Sequence, residues 1–226
     1  MGENSFKAYK IMGREDWYRN TTWTKDVRNA FFKRLGRSRS SFHKAQYVRI
    51  QAHYLEETGE RKNVNAALAL LDLMIEKWPE PVELAAAHLQ RARCYERLHK
   101  WKCAINSHRD SIKAEHEYET AQVGAALHFG WLVVRRCMSK YYDEVLSVLD
   151  TGEEMLLFPI NQFKYASIFS IILHHKGEKD GARRFANMAL EANGKKESPF
   201  RYHKKLGLVA NPPKAIMKKL IRIAGI

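Results

Sequence analysis

The chain has 226 residues, 45% of them apolar, and a formal net charge of +14. That apolar content excludes a disordered chain, and no Pro- or Ser/Gly-rich linker divides the sequence, so one elongated domain is expected. The cationic excess points to anionic partners: nucleic acid, anionic lipid or an acidic protein.

In chain order, residues 1–22 show no sustained period and read as an irregular lead-in. Its first ten residues, MGENSFKAYK, lack the apolar stretch of a signal peptide, and Phe6 stands where a myristoylation signal needs Ser or Thr. Thr24 is placed to cap a helix reaching about Leu35, with Val27, Phe31, Phe32 and Leu35 as its apolar stripe. The run Gly36–Ser41 breaks that helix and carries Arg37 and Arg39.

Helices at about 43–58 and 64–78 follow, closed by Thr58-Gly59 and Pro79. The next expected pair is 82–98 and 101–115, then a longer one at 117–138 and 141–157, then 160–175 and 179–192. The tail begins at Ser198-Pro199 and ends in a short helix, with Asn211 as its cap and Pro212 at the first helical position. No segment alternates with period two, so the fold class is all-α. The longest apolar-rich runs, near Phe129–Val134 and Ile168–Leu173, are too short to span a bilayer. Cys94, Cys103 and Cys137 form no paired framework and suit a reducing compartment, so a cytoplasmic protein without membrane insertion is expected.

Small or β-branched side chains open the second helix of each pair at Ala67, Ala104, Val145 and Ala182, separated by 37, 41 and 37 residues. Such a period marks stacked helical hairpins, each too small to bury its apolar face alone. The segment Ala92-x-x-Tyr95-x-x-Leu98-x-x-Trp101-x-x-Ala104-Ile105 resembles the tetratricopeptide repeat. Gly177–Ala182, continued by Ala186, Ala189 and Leu190, resembles the same turn and second helix, as do Ala52, Leu55, Ala67-Leu68, Leu71, Met74 and Pro79. The 129–157 stretch departs, with Val133, Val145 and Gly152 at positions where the pattern differs.

The resemblance covers about 45–192 and implies a right-handed superhelix of stacked antiparallel pairs, a TPR-like α-solenoid. Residues 1–42 would then be a lead-in and capping helix, 43–192 the repeats, and 193–226 a basic tail with a second capping helix. It further implies a concave groove lined by the first helices. On that wall the register places Gln46, Arg49, His53, Arg93, Glu96, Arg97, Val134, Lys164, Ile171 and His174. Arg49, Arg93, Arg97 and Lys164 would form a basic strip for an acidic peptide or protein surface, since Arg forks onto carboxylates. The same residues also suit a merely solvated polar face.

Basic clusters offer a second reading, a helical-repeat nucleic-acid binder. Lys33, Arg34, Arg37 and Arg39 end the first helix; Lys195, Lys196, Arg201, His203, Lys204 and Lys205 lie beside Phe200 and Tyr202; Lys214, Lys218, Lys219 and Arg222 join Ile216, Leu220, Ile221 and Ile223 in the tail helix. Residues 195–226 hold nine Lys and Arg against the single Glu197. Membrane contact and plain capping of the last repeat explain the tail helix too, and capping accounts for both of its faces.

Catalytic signals are poor. His116-Glu117 lacks the second His of a zinc helix, and His174-His175 point about 100° apart. Glu56-Glu57 and Glu153-Glu154 are neighbours, not facing pairs, and no phosphate loop or nucleophile elbow occurs. No cofactor, metal or catalytic residue is therefore assigned, and Cys94 and Cys103 read as small packing residues. The expected function is a non-catalytic interaction protein, with an inhibitor or immunity-type protein as one specialised form. Trp17, Tyr18 and Trp23 read as pins for the N-terminal segment or as an exposed patch, the first being preferred.

Overall fold

The computed structural model describes residues 16–149 and 156–226; Gly152, Glu153 and Glu154 lie outside them. All regular elements among the described residues are helical, and they fall into two compact units, Met1–Val123 and Gly124–Ile226. The divide lies inside the stretch assigned to repeats.

The first unit holds α1 (Lys25–Leu35), α2 (Ser41–Glu57), α3 (Arg61–Lys77), α4 (Pro81–Arg97) and α5 (Trp101–Glu117). Thr24 Oγ1 accepts the Val27 N–H at the start of α1, and Ser40 Oγ accepts the His43 N–H at the start of α2, each at 3.3 Å. Pro81 occupies the first turn of α4, where its missing N–H costs nothing. The helices α2 and α4 begin at 41 and 81, and α3 and α5 at 61 and 101, so each pair recurs after 40 residues. Three-residue connections fold α2 onto α3 and α4 onto α5, and α3 packs on α4.

The second unit holds α6 (Ala125–Arg135), α7 (Tyr142–Val148), α8 (Pro159–His175), α9 (Lys179–Gly194) and α10 (Lys214–Ala224). Here α6 packs on α7 and α8, and α8 on α9. The tail helix α10 covers α9 and α8 with Ile216, Leu220 and Ile223, all buried.

One backbone device recurs in both units. Each first helix ends in a residue with left-handed backbone: Gly59 (φ +68°), His99 (+57°), Cys137 (+53°) and Gly177 (+85°). Their N–H groups donate to the carbonyls three residues back, Glu56, Glu96, Val134 and His174, at 3.0–3.3 Å. The N–H groups of Lys100, Met138 and Glu178 then donate to the Tyr95, Val133 and Leu173 carbonyls at 2.9–3.0 Å, completing a six-to-one closure. Seven residues before each turn stand Ala52, Ala92, Gly130 and Ser170, all buried. At Gly130 a Cβ would stand 3.0 Å from both Ile168 Cδ1 and Val145 Cγ1, so α7 and α8 approach α6 over bare backbone. The anchors Ala67, Ala104, Val145 and Ala182 are all 0% exposed. Ala67 and Val145 lie eight residues after their turns and Ala104 and Ala182 five, which turns the even spacing of the turns into 37, 41 and 37.

The described part of the lead-in, residues 17–23, is pinned rather than presented. Trp17 and Tyr18 pack on Tyr47 with ring centroids 5.0 and 4.7 Å away, and Trp23 packs on Phe31 at 5.5 Å. The buried Gln51 side chain accepts the Asn20 N–H at 3.0 Å and donates to the Asn20 carbonyl at 2.7 Å. Asn63, also buried, donates to the Thr21 carbonyl at 3.1 Å. These bonds satisfy backbone groups that the lead-in leaves without helical partners.

Three expectations are corrected. The helix expected over 117–138 is broken: α5 runs to Glu117, and α6 starts only after Gly124, whose φ is +72°. The Glu115 carboxylate takes the Val123 N–H, and the Gln122 amide donates to the Glu115 and Glu119 carbonyls, which tethers the connection to α5. The tail helix begins at Lys214 with Pro213 as its cap, because Asn211 takes left-handed backbone (φ +50°) instead of capping. Val134 and Ile171 are buried in the second unit and line no surface.

Gly177 has open space around a would-be Cβ, so its only constraint is the backbone. Gly177→Ala should therefore cost about 1–2 kcal/mol in urea unfolding, the left-handed penalty for an L-residue. His99→Gly should cost nothing or stabilise; a clear loss of stability for His99→Gly would contradict the turn assignment.

Candidate functional site

Four of the six sequence-predicted groove residues of the first unit, Arg49, Arg93, Glu96 and Arg97, are engaged by side chains outside the predicted set. The Glu56 carboxylate, 0% exposed near the end of α2, faces α4. Arg93 grips it with two bonds, Nε to Oε1 at 3.1 Å and Nη2 to Oε2 at 2.9 Å. Arg97, one turn on, adds Nε to Glu56 Oε1 at 3.4 Å and Nη2 to Glu57 Oε1 at 3.1 Å. Arg49 pairs with Glu83, which is buried, across the same α2–α4 contact. The Glu96 carboxylate faces His108 Nε2 at 3.1 Å and accepts from it in the Nε2-protonated imidazole.

The first-unit part of the predicted basic strip, Arg49, Arg93 and Arg97, is thus a set of ion pairs between neighbouring helices. Burial pulls the Arg93 guanidinium pKa down, but the hydrogen bonds and charge of Glu56 outweigh it and leave it raised. Burial, reinforced by Glu56, pushes the Cys94 thiol well above its usual range, so it is no thiolate nucleophile. Cys94 packs as expected, whereas Cys103 is exposed on α5.

The arginines are not sealed. Arg93 and Arg97 side chains each remain 38% exposed, and neither Nη1 carries a hydrogen bond among the described residues. Gln46 and His53 are partly exposed on the same helix, α2, without hydrogen-bond partners among the described residues. What this face offers is two guanidinium edges held at fixed angles, with the local charge already balanced by Glu56 and Glu57.

His53, Glu56 and Glu57 bring ligand atoms within 4.8 Å of one another. A cation there would have to displace both guanidiniums from Glu56, so the two carboxylates are read as part of the ion-pair network, not as a metal centre.

In the second unit, Lys164 is partly buried in α8 and His174 is exposed in its last turn. The clusters of the alternative reading are open to solvent. Lys33, Arg34, Arg37 and Arg39 are exposed at the end of α1 and the turn after it, as are Lys204, Lys205, Lys218 and Arg222 in the tail. Lys204 pairs with Glu197 at 3.1 Å, and Lys219, partly buried, points its Nζ at Cys137 Sγ at 3.1 Å. Among the described residues no helix is long and apolar enough to cross a membrane.

No family model, curated protein or solved structure matches this chain. The adjacent packed helix pairs make it helical-repeat-like, and its own side chains are the basis for a functional reading.

The sequence pattern did not single out Glu56 as the partner of the arginines. A signal was present: Glu57 and Arg97 are 40 residues apart, the helix repeat, so stacked first helices bring them level. Removing Arg93 leaves a fully buried carboxylate with only the longer Arg97 contact. Arg93→Ala should cost about 3–5 kcal/mol, and Arg97→Ala about 1 kcal/mol, in urea unfolding at unchanged m-value. Equal, small losses for both would mean that Glu56 is not held as described.

Proposed function

We propose that the chain is a non-catalytic interaction protein of the tetratricopeptide-like kind, whose α2/α4 face docks a protein surface carrying a carboxylate. The observation that carries this reading is the pair of half-open guanidiniums, Arg93 and Arg97, fixed from beneath by Glu56. An arginine held on one edge loses little further side-chain freedom when its other edge meets a carboxylate, so preorganisation substitutes for net charge. Because Glu56 and Glu57 balance the cluster, recognition here works through geometry at contact more than through long-range attraction. Gln46 and His53 extend the same face with uncommitted polar groups.

The enzyme alternative has no comparable support: no nucleophile, base and oxyanion donors stand together among the described residues. A cytoplasmic setting belongs to this proposal and accords with three free cysteines.

Affinity capture from the native cell, after nuclease treatment, tests the reading. Wild-type protein should retain a specific protein that Arg97→Ala and His53→Glu variants lose by about ten-fold or more, since a charge-assisted contact contributes about 1.5–3 kcal/mol. Both variants should keep the wild-type helical circular dichroism. Capture of the same protein at wild-type levels by both would remove the α2/α4 face as the site.

A further inference from the structure

We infer that the outer face of the second unit's C-terminal region, α10 with the loop before it, is a docking surface for single-stranded nucleic acid. This stands apart from the α2/α4 proposal and uses none of its residues.

Capping explains the underside of α10 but not its outside. Ile216, Leu220 and Ile223 are buried on α8 and α9, which fixes the opposite stripe toward solvent. That stripe is Lys214, Lys218 and Arg222, exposed at successive turns and so about 6 Å apart along the axis. None of the three meets a carboxylate among the described residues. A cap that needed only solubility would carry both signs of charge, which avoids self-repulsion. Residues 198–226 contain no acidic residue at all.

A further cation lies at one end of the stripe. At its C-terminus, Gly225 lies against Arg183 of α9, whose Nη2 is 3.7 Å from where a Cβ would stand. The end of α10 thus lies beside the start of α9, and the 195–207 loop leaves the other end of α9. That loop is held in place. The Ile160 N–H donates to the Gly207 carbonyl at 2.8 Å and the Ser198 N–H to the Lys204 carbonyl at 2.7 Å. Phe200 stacks on Phe158 with centroids 5.3 Å apart, and Gly207 sits so close to Phe158 that a Cβ would overlap its ring at 2.2 Å.

On this anchored loop Tyr202 is 84% exposed, with the Arg201 guanidinium 5.5 Å from its ring centroid. An open ring beside a cation, twelve residues before a row of cations that meet no carboxylate among the described residues, combines a stacking platform with backbone-neutralising charge. The ring selects single strands, because a duplex keeps its base faces stacked inside. A lipid surface is a poorer fit, since the apolar face that would enter it already lies on α8 and α9.

Fluorescence anisotropy of the full chain tests this, with a labelled 20-nucleotide single-stranded RNA, its DNA equivalent, the matching duplex, polyglutamate and anionic phosphatidylserine vesicles. At about 50 mM salt the single strands should bind more tightly than the duplex, polyglutamate or vesicles, and weaken steeply with added salt. The Lys214→Gln, Lys218→Gln, Arg222→Gln triple variant should reduce the salt slope by about 2, near 0.7 for each phosphate that is no longer neutralised. Tyr202→Ala should weaken single-strand binding by about ten-fold, because the base has no ring to stack on. These outward side chains leave the thermal midpoint unchanged, which separates impaired binding from impaired folding, and α2/α4 partner capture should survive in every variant. No single-strand binding, tighter binding of polyglutamate or vesicles, or wild-type affinity in either variant would overturn the inference.

Discussion

The left-handed turn that closes each first helix, together with a small residue seven positions before it, is the constraint on which this structure depends. Three of the four helix pairs are joined by three residues, and α6 and α7 by six, and in each the first helix leaves right-handed backbone as the chain reverses. Gly59 and Gly177 do this freely. His99 and Cys137 do it as ordinary L-residues, a conformation that costs about 1–2 kcal/mol and persists because the flanking helices dictate it. Ala52, Ala92, Gly130 and Ser170 then let the second helix lie close, and burial of Ala67, Ala104, Val145 and Ala182 completes the contact.

Stacking pairs in this way sets the charges. Where α2 meets α4, side chains at corresponding heights face each other, and Glu56 falls between two arginines. A carboxylate with no solvent exposure is tolerated only with full hydrogen bonding, so Arg93 is a structural cation first. Its exposed edge is what remains for recognition. The tail shows the reverse: the outward cations of α10 neutralise no carboxylate among the described residues, while its apolar residues do the packing. One basic sequence therefore contains two kinds of charge, and net charge alone does not distinguish them.

Much of the fold was legible. Amphipathic spacing located eight helices to within a few residues, with Thr24 as the cap of α1, because burial of one face demands that period. The pairing was legible in Ala67, Ala104, Val145 and Ala182, although the anchors alternate between two heights and so concealed the steadier 40-residue repeat. The break at 118–124 was not legible, since it depends on Glu115 reaching a backbone N–H eight residues on. Nor were the left-handed His99 and Cys137: Cys has no preference for that conformation, and His, though enriched there, is still mostly found elsewhere. For the site, the sequence placed Arg49, Arg93 and Arg97 on first helices but did not give their partners. Ion pairing across helices is a tertiary fact, and only the Glu57–Arg97 spacing announced it.

Hydrogen–deuterium exchange at the amides of Lys100, Met138 and Glu178 probes the repeated turn most directly. These groups lie past the ends of α4, α6 and α8, yet each donates back across the turn to Tyr95, Val133 or Leu173. Protection comparable to that of the helices they close is the predicted result. Exchange at the rate of an open loop at all three would contradict it, because the helices would then be joined by loose linkers and no fixed pairing would exist.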